Sequence, residues 1–206
     1  MKRVLFFLLL SASVMTASAQ VSFGVKGGLN TTQLTFEKGE IYDVEQKAGF
    51  FIGPTAKLSL PILGLGLDAS VLYDQRNAKQ RTPYLDGGRT YWSTIKQQQI
   101  AIPVNLRYGY GISEIAEVFA FAGPQINFNV GKDIEMDYGE WVPQNVTYSF
   151  NAGLGLLLRN HLQISANYHV GLDKSGEVWI NRSWSPGEVV NKGRMDAWQI
   201  SIGYYF

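Results

Sequence analysis

The chain has 206 residues, enough for one full-sized domain, with charged residues at 17%, aromatics at 13% and 22 glycines. That glycine content disfavours a helical bundle, where each interior Gly costs about 1 kcal/mol relative to Ala. It suits strands with tight bends and close-packed neighbours. A formal net charge of +1 excludes a global basic field for nucleic acid and a strongly acidic one for cations.

Residues 1–19 read as an export signal. Lys2 and Arg3 form a positive start, Val4 to Leu10 begin an apolar stretch, and Ala17-Ser18-Ala19 offers an A-x-A cleavage site. The mature domain is then expected to span 20–206, beginning at Gln20. Without Lys2 and Arg3 it carries 16 basic against 17 acidic residues, a net charge of −1. The chain has no Cys, so neither a lipid anchor at the cleavage point nor disulfides are expected.

No later stretch reaches eighteen apolar residues. What recurs is alternation. Segments near 21–31, 48–59 and 65–75 show it loosely, and Ile100, Ile102, Val104, Leu106 and Tyr108 show it cleanly. Segment 117–130 fits less well, because Phe119 and Phe121 fall on its polar face. A bulge near its start would explain them. Val146 to Leu156, Leu162 to Leu172 and Trp198 to Phe206 alternate again, making eight strands with one greasy and one polar face each. Pro54, Pro103 and Pro124 lie inside strands, where each removes a ladder donor, so they are expected at bulges or strand ends.

The links alternate in length. Leu60 to Gly64, Gly109 to Ala116 and Asn160-His161 are short. The links 32–47, 76–95, 131–145 and 174–196 are long. Short turns at one end and long loops at the other predict an all-β, eight-stranded antiparallel transmembrane β-barrel, with periplasmic turns and extracellular loops. Strands of about 9–11 residues suffice to span.

Alternation alone does not say which face meets lipid, and a soluble ligand-binding barrel would invert it. The polar face is made of Gly, Ser, Asn, Gln and Thr with Lys26, Lys57, Asp68, Asp74 and Arg107, which suits a crowded interior. On the greasy face Phe23, Tyr108, Tyr204 and Phe206 mark the short-turn end. Tyr73, Phe128, Tyr148 and Trp198 mark the other. Two aromatic belts around an aliphatic band are what two membrane interfaces select.

Phe23-Gly24-Val25-Lys26-Gly27-Gly28-Leu29-Asn30 resembles the first strand of the PorT-like small outer-membrane β-barrel family. Gln99-Ile100-Ala101-Ile102-Pro103-Val104 is similar to its fourth strand and Phe121-Ala122-Gly123-Pro124 to its fifth. Gly153-Leu154-Gly155 and Ile200 to Phe206 resemble the sixth and last. The resemblance covers most of the mature chain and implies the fold and an outer-membrane location. The terminal Phe206 resembles the signal read by the barrel-assembly machinery. The family is named for a member linked to secretion and supplies no catalytic residues.

Chemistry has few candidates. Gly24 to Gly28 lacks the Lys-Ser/Thr of a phosphate loop, and close strand approach is the expected role. His161 falls in a short turn and His169 on the polar face, without the nucleophile and acid that a lipid-A-modifying enzyme would need. No cofactor or metal is expected. The five interior charges are expected to neutralise one another in a filled lumen, with a narrow channel as the alternative. Formal charges of −2 for 32–47, +4 for 76–96, −3 for 131–145 and +2 for 174–195 alternate around the rim. Trp92, Trp141, Trp179 and Trp184 fall in the expected loops and are candidates for recognition. Expected partners are outer-membrane lipid and lipopolysaccharide, the assembly machinery through Phe206, and no nucleic acid. The functional expectation is a non-enzymatic outer-membrane barrel with a filled interior, acting through its extracellular loops as a surface, structural or secretion-associated component.

Overall fold

The computed structural model describes residues 20–36, 44–60, 64–82, 91–132, 134–136, 139–182 and 185–206. The expected export signal, 1–19, lies outside them. Among the described residues there are twelve strands: β1 (Gln20–Phe36), β2 (Val44–Leu60), β3 (Leu65–Ser70), β4 (Leu72–Thr82), β5 (Tyr91–Ser113) and β6 (Ala116–Asn129). They are followed by β7 (Ile134–Met136), β8 (Gly139–Pro143), β9 (Val146–Leu158), β10 (Leu162–Gly171), β11 (Gly176–Arg182) and β12 (Ser185–Tyr205).

Eight staves form the wall: β1, β2, β3 with β4, β5, β6, β9, β10 and β12. Every neighbouring pair is antiparallel, and β1 pairs with β12 to close the ring. Closure leaves the wall no edge in hydrocarbon, where an unpaired backbone group has no water to turn to. Side chains alternate as expected. Lys26, Asn30, Thr55, Lys57, Asn105, Gln125, Ser165 and Ser201 are buried, while Leu29, Ile52, Leu106, Ile126, Leu154, Ile164 and Ile200 are exposed. Outside the aliphatic band, Phe23, Tyr108, Tyr204 and Phe206 ring one end and Phe128, Tyr148 and Trp198 the other.

The long links are shorter than expected, because the strands continue into them. β1 and β2 leave 37–43 between them, β4 and β5 leave 83–90, and β11 and β12 nearly meet. Trp92, Trp141 and Trp179 therefore stand in β5, β8 and β11 and not in loops, while Trp184 lies outside the described residues. Two strands already in register extend their ladder residue by residue, and an antiparallel pair needs only a tight turn to end it.

The prolines also depart from expectation. Pro54 and Pro124 sit within continuous register, Pro54 opposite Val25 and Pro124 opposite Phe150. On its other side Pro54 accepts a hydrogen bond from the Val71 amide at 3.0 Å but has no N–H to return. The third stave is interrupted there, between β3 and β4. A Cβ on Gly53 would strike the Val71 carbonyl oxygen, and a Cβ on Gly123 would strike that of Val104. In both Gly-Pro pairs the glycine hydrogen thus points at the carbonyl that proline leaves without a donor. Such a Cα–H···O contact recovers about 0.5–1 kcal/mol. Gly24 and Gly28 are tight for a related reason: side chains there would meet the Tyr204 and Ile200 carbonyls of β12.

Candidate functional site: the filled lumen

Phe119 and Phe121 point into the barrel without any bulge beside them. β6 pairs with β9 in unbroken register from Ala116 to Phe128, and the one β5–β6 irregularity lies at the turn, between Gly111 and Ser113. The expected bulge is absent because glycine makes the room. Phe119 stands opposite Gly155 and Phe121 opposite Gly153, and a Cβ on Gly155 would run into the Phe119 ring. The two rings, 5.9 Å apart, join Leu157 and Tyr205 in an apolar cluster across the short-turn end of the lumen.

The interior cations cap these rings. The Arg107 guanidinium lies 3.8 Å from the centre of Phe119, Lys57 Nζ 4.6 Å from Tyr205 and Lys26 Nζ 5.8 Å from Phe121. Cation–ring contacts strengthen when water is excluded. Arg107 also donates through Nη2 to Glu117 at 2.6 Å and through Nη1 to Gln163 at 3.2 Å, and its Nη1 lies 3.8 Å from Asp68. Gln163 Oε1 accepts a second hydrogen bond from Tyr205 Oη at 3.3 Å. Lys57 donates to the Asn160 carbonyl at 3.4 Å, tying the plug to the β9–β10 turn.

Four of the five anticipated charges, Lys26, Lys57, Asp68 and Arg107, thus meet in one cluster, with Asp68 in the field of all three cations. Asp74 does not join them. It sits farther up the lumen, paired with Arg76 Nε at 2.9 Å and accepting from Asn30 at 2.8 Å and Gln99 at 2.8 Å. Sequence reading missed Glu117 and Arg76. Glu117 shares the inward parity of Phe119 and Phe121, which was signal enough. Arg76 was assigned to a loop that is strand.

The rest of the lumen is a mesh of neutral side chains. Asn127 donates to Ser149 at 3.0 Å, Asn151 to Gln125 at 2.8 Å and Asn167 to Gln199 at 2.8 Å, while the Ser165 and Ser201 hydroxyls lie 2.7 Å apart. Phe51, Leu72 and Ala101 add an apolar patch. His169 is 1% exposed, with Nδ1 3.1 Å from Asn151 Oδ1. His161, in the turn, places Nδ1 2.7 Å from the Tyr205 carbonyl. Among the described residues no cluster of His, Cys, Asp or Glu has the makings of a metal site.

The family described as outer membrane protein beta-barrel domain matches residues 12–177. The chain belongs to it. Among solved structures, OprG of Pseudomonas aeruginosa shares 15% identity over 90% of this chain and 95% of its own, with a TM-score of 0.53. Neisserial surface protein A shares 12% over 91% and 99%, with a TM-score of 0.47. Ail of Yersinia pestis shares 12% over 91% and 99%, with a TM-score of 0.41. OprG supports the fold, and the other two scores are too low to add to it. No curated protein matches the sequence. Family and fold together place this barrel in the outer membrane.

Proposed function

We propose that this is a non-enzymatic outer-membrane barrel with a closed lumen, acting through the strands that rise above the membrane as a surface, structural or secretion-associated component. The observation that carries the reading is the plug of Phe119, Phe121, Leu157 and Tyr205 capped by three cations. Above the plug, buried amides bond to one another, as Asn151 does to Gln125 and Asn167 to Gln199. His169 turns toward Asn151 inside the barrel, away from any lipid. That disfavours the lipid-A-modifying alternative. The narrow-channel alternative requires the plug to part. The resemblance to the PorT-like group favours a role linked to secretion within the family.

Planar-bilayer recording tests the closed lumen. The purified barrel is expected to show no steady current, and a Phe119→Ala, Phe121→Ala variant to show a small one. A large, stable current from the unaltered protein would make it a channel.

A further inference from the structure

Toward the extracellular rim the paired strands follow a path that comes back on itself. From β5 it runs through β4, β2, β1, β12, β11 and β8 to β7, and every step is antiparallel. Seven antiparallel steps leave β7 running opposite to β5, and it stands beside β5 without pairing to it. Among the described residues, β5 from Tyr91 to Gln97 pairs with β4 alone, and β7 with β8 alone. Two free edges of opposite direction thus face each other across a seam. A free edge is a template for another strand, and here the nearest strand belongs to the same wall.

The seam begins at a defined fault. The β5–β6 ladder ends with Gln99 opposite Asn129. Beyond it the Val130 and Gly131 amides both donate to the Gln98 carbonyl, at 2.9 and 3.2 Å, so two residues oppose one, as in a β-bulge. Counting on from that bulge, Lys132 falls opposite Gln97, Ile134 opposite Ile95 and Met136 opposite Ser93. Gln97 is buried, yet its Oε1 has no hydrogen-bond partner, and neither has Asn129 Oδ1. A buried acceptor left without a donor is costly. Lys132 is exposed and makes no hydrogen bond or ion pair with the described residues. A free ammonium therefore stands one register step from two acceptors that lack a donor.

We infer that β7 zips onto β5 past the bulge and completes the extracellular wall, with Lys132 as the latch. The Lys132 ammonium turns inward onto Gln97 Oε1 and Asn129 Oδ1 as the two edges pair. Formal charge favours the closing, since residues 76–96 carry +4 and residues 131–145 carry −3. Opposite charges on the two sides of the seam attract before any hydrogen bond forms. Zipped, the strands make a complete ring above the membrane. Unzipped, as in this structure, the ring keeps a slot between β5 and β7. The inference rests on strand pairing alone and stands whether or not the lumen conducts.

The test uses the full mature barrel in lipid nanodiscs. The natural chain has no Cys, so an introduced pair reports by itself. Under mild oxidation, Ile95→Cys with Ile134→Cys is expected to form a disulfide several times faster than Thr94→Cys with Ile134→Cys. Only the bulged register brings the first pair opposite each other on one face, within reach of an S–S bond. Raising the salt from about 0.01 to about 1 M, which cuts the reach of a charge from about 30 to about 3 Å, should slow the first pair several-fold. Lys132→Met should slow it as well, and Lys132→Arg much less. The Gln98 carbonyl faces the seam, so by alternation the Trp92, Thr94 and Lys96 amides face it too. In the cysteine-free barrel those amides are expected to exchange hydrogen more slowly than in its Lys132→Met variant. Heat-modifiable gel mobility confirms that each variant is folded. Equal or faster bonding of the Thr94→Cys pair, a rate unmoved by salt or by Lys132→Met, or equal exchange in the two barrels would each overturn the inference.

Discussion

The Arg107 guanidinium lies over the ring of Phe119, 3.8 Å from its centre, while its Nη2 donates to Glu117 at 2.6 Å. One side chain thus joins the apolar plug to the charge cluster. The two strands concerned are paired, with Arg107 opposite Phe121, so the contact follows from register once the barrel closes. Arg107→Ala is expected to lower stability by about 3–5 kcal/mol, because it leaves Asp68 and Glu117 without their main partner. Arg107→Lys should recover only part of this, lacking the planar fork that serves ring and carboxylate together. Urea unfolding in lipid vesicles measures both. A loss no larger than that of Arg194→Ala, at the exposed rim, would sink the argument.

The Gly-Pro pairs make a second prediction. Gly123→Ala should cost roughly 1–3 kcal/mol, since its methyl would be forced against the Val104 carbonyl. Gly111 is the control, because a Cβ there meets nothing within 4 Å, and Gly111→Ala should change stability by less than about 0.5 kcal/mol. If the two substitutions have equal effects in the same unfolding assay, close approach does not explain Gly123.

The β9–β10 turn holds Arg159 at φ 48° and Asn160 at φ 59°, and the His161 amide closes it onto Leu158 at 3.0 Å. Two successive left-handed residues define the hairpin turn that favours Asn-Gly. Arg159 is a poor residue for that conformation, which costs an ordinary side chain about 1–2 kcal/mol. Replacing Arg159 by Asn and Asn160 by Gly is expected to raise stability by about 1 kcal/mol. The Lys57 bond survives, because it goes to the residue 160 backbone. Unchanged unfolding midpoints would show that the turn is unstrained.

Phe206 ends the chain with its amide bonded to the Phe23 carbonyl at 2.8 Å and its ring 77% exposed, edge-on to Tyr204 at 5.9 Å. The ring contributes little to the ladder and much to the interfacial belt. Phe206→Ala is therefore expected to reduce the yield of assembled barrel in cells while leaving the refolded protein's unfolding midpoint nearly unchanged. Comparing outer-membrane abundance at native expression with in vitro unfolding separates the two. Normal abundance would remove the proposed recognition by the assembly machinery.

Alternation with a period of two was enough to reveal the eight staves, the face each turns to lipid and the two aromatic belts, because each stave is solvated differently on its two sides and composition must follow. The same parity also contained Glu117 and the inward direction of Phe119 and Phe121, which were misread as the mark of a bulge. Parity says which face a residue occupies and nothing about what stands across from it. That Gly155 opens space for Phe119 depends on the register of β6 with β9. That Lys26, Lys57 and Arg107 come from three staves to cover three rings depends on curvature, which is set only when β12 closes on β1. The extent of the strands above the membrane was equally hidden, since beyond the hydrocarbon both faces meet water and the alternation that marks a strand is no longer required.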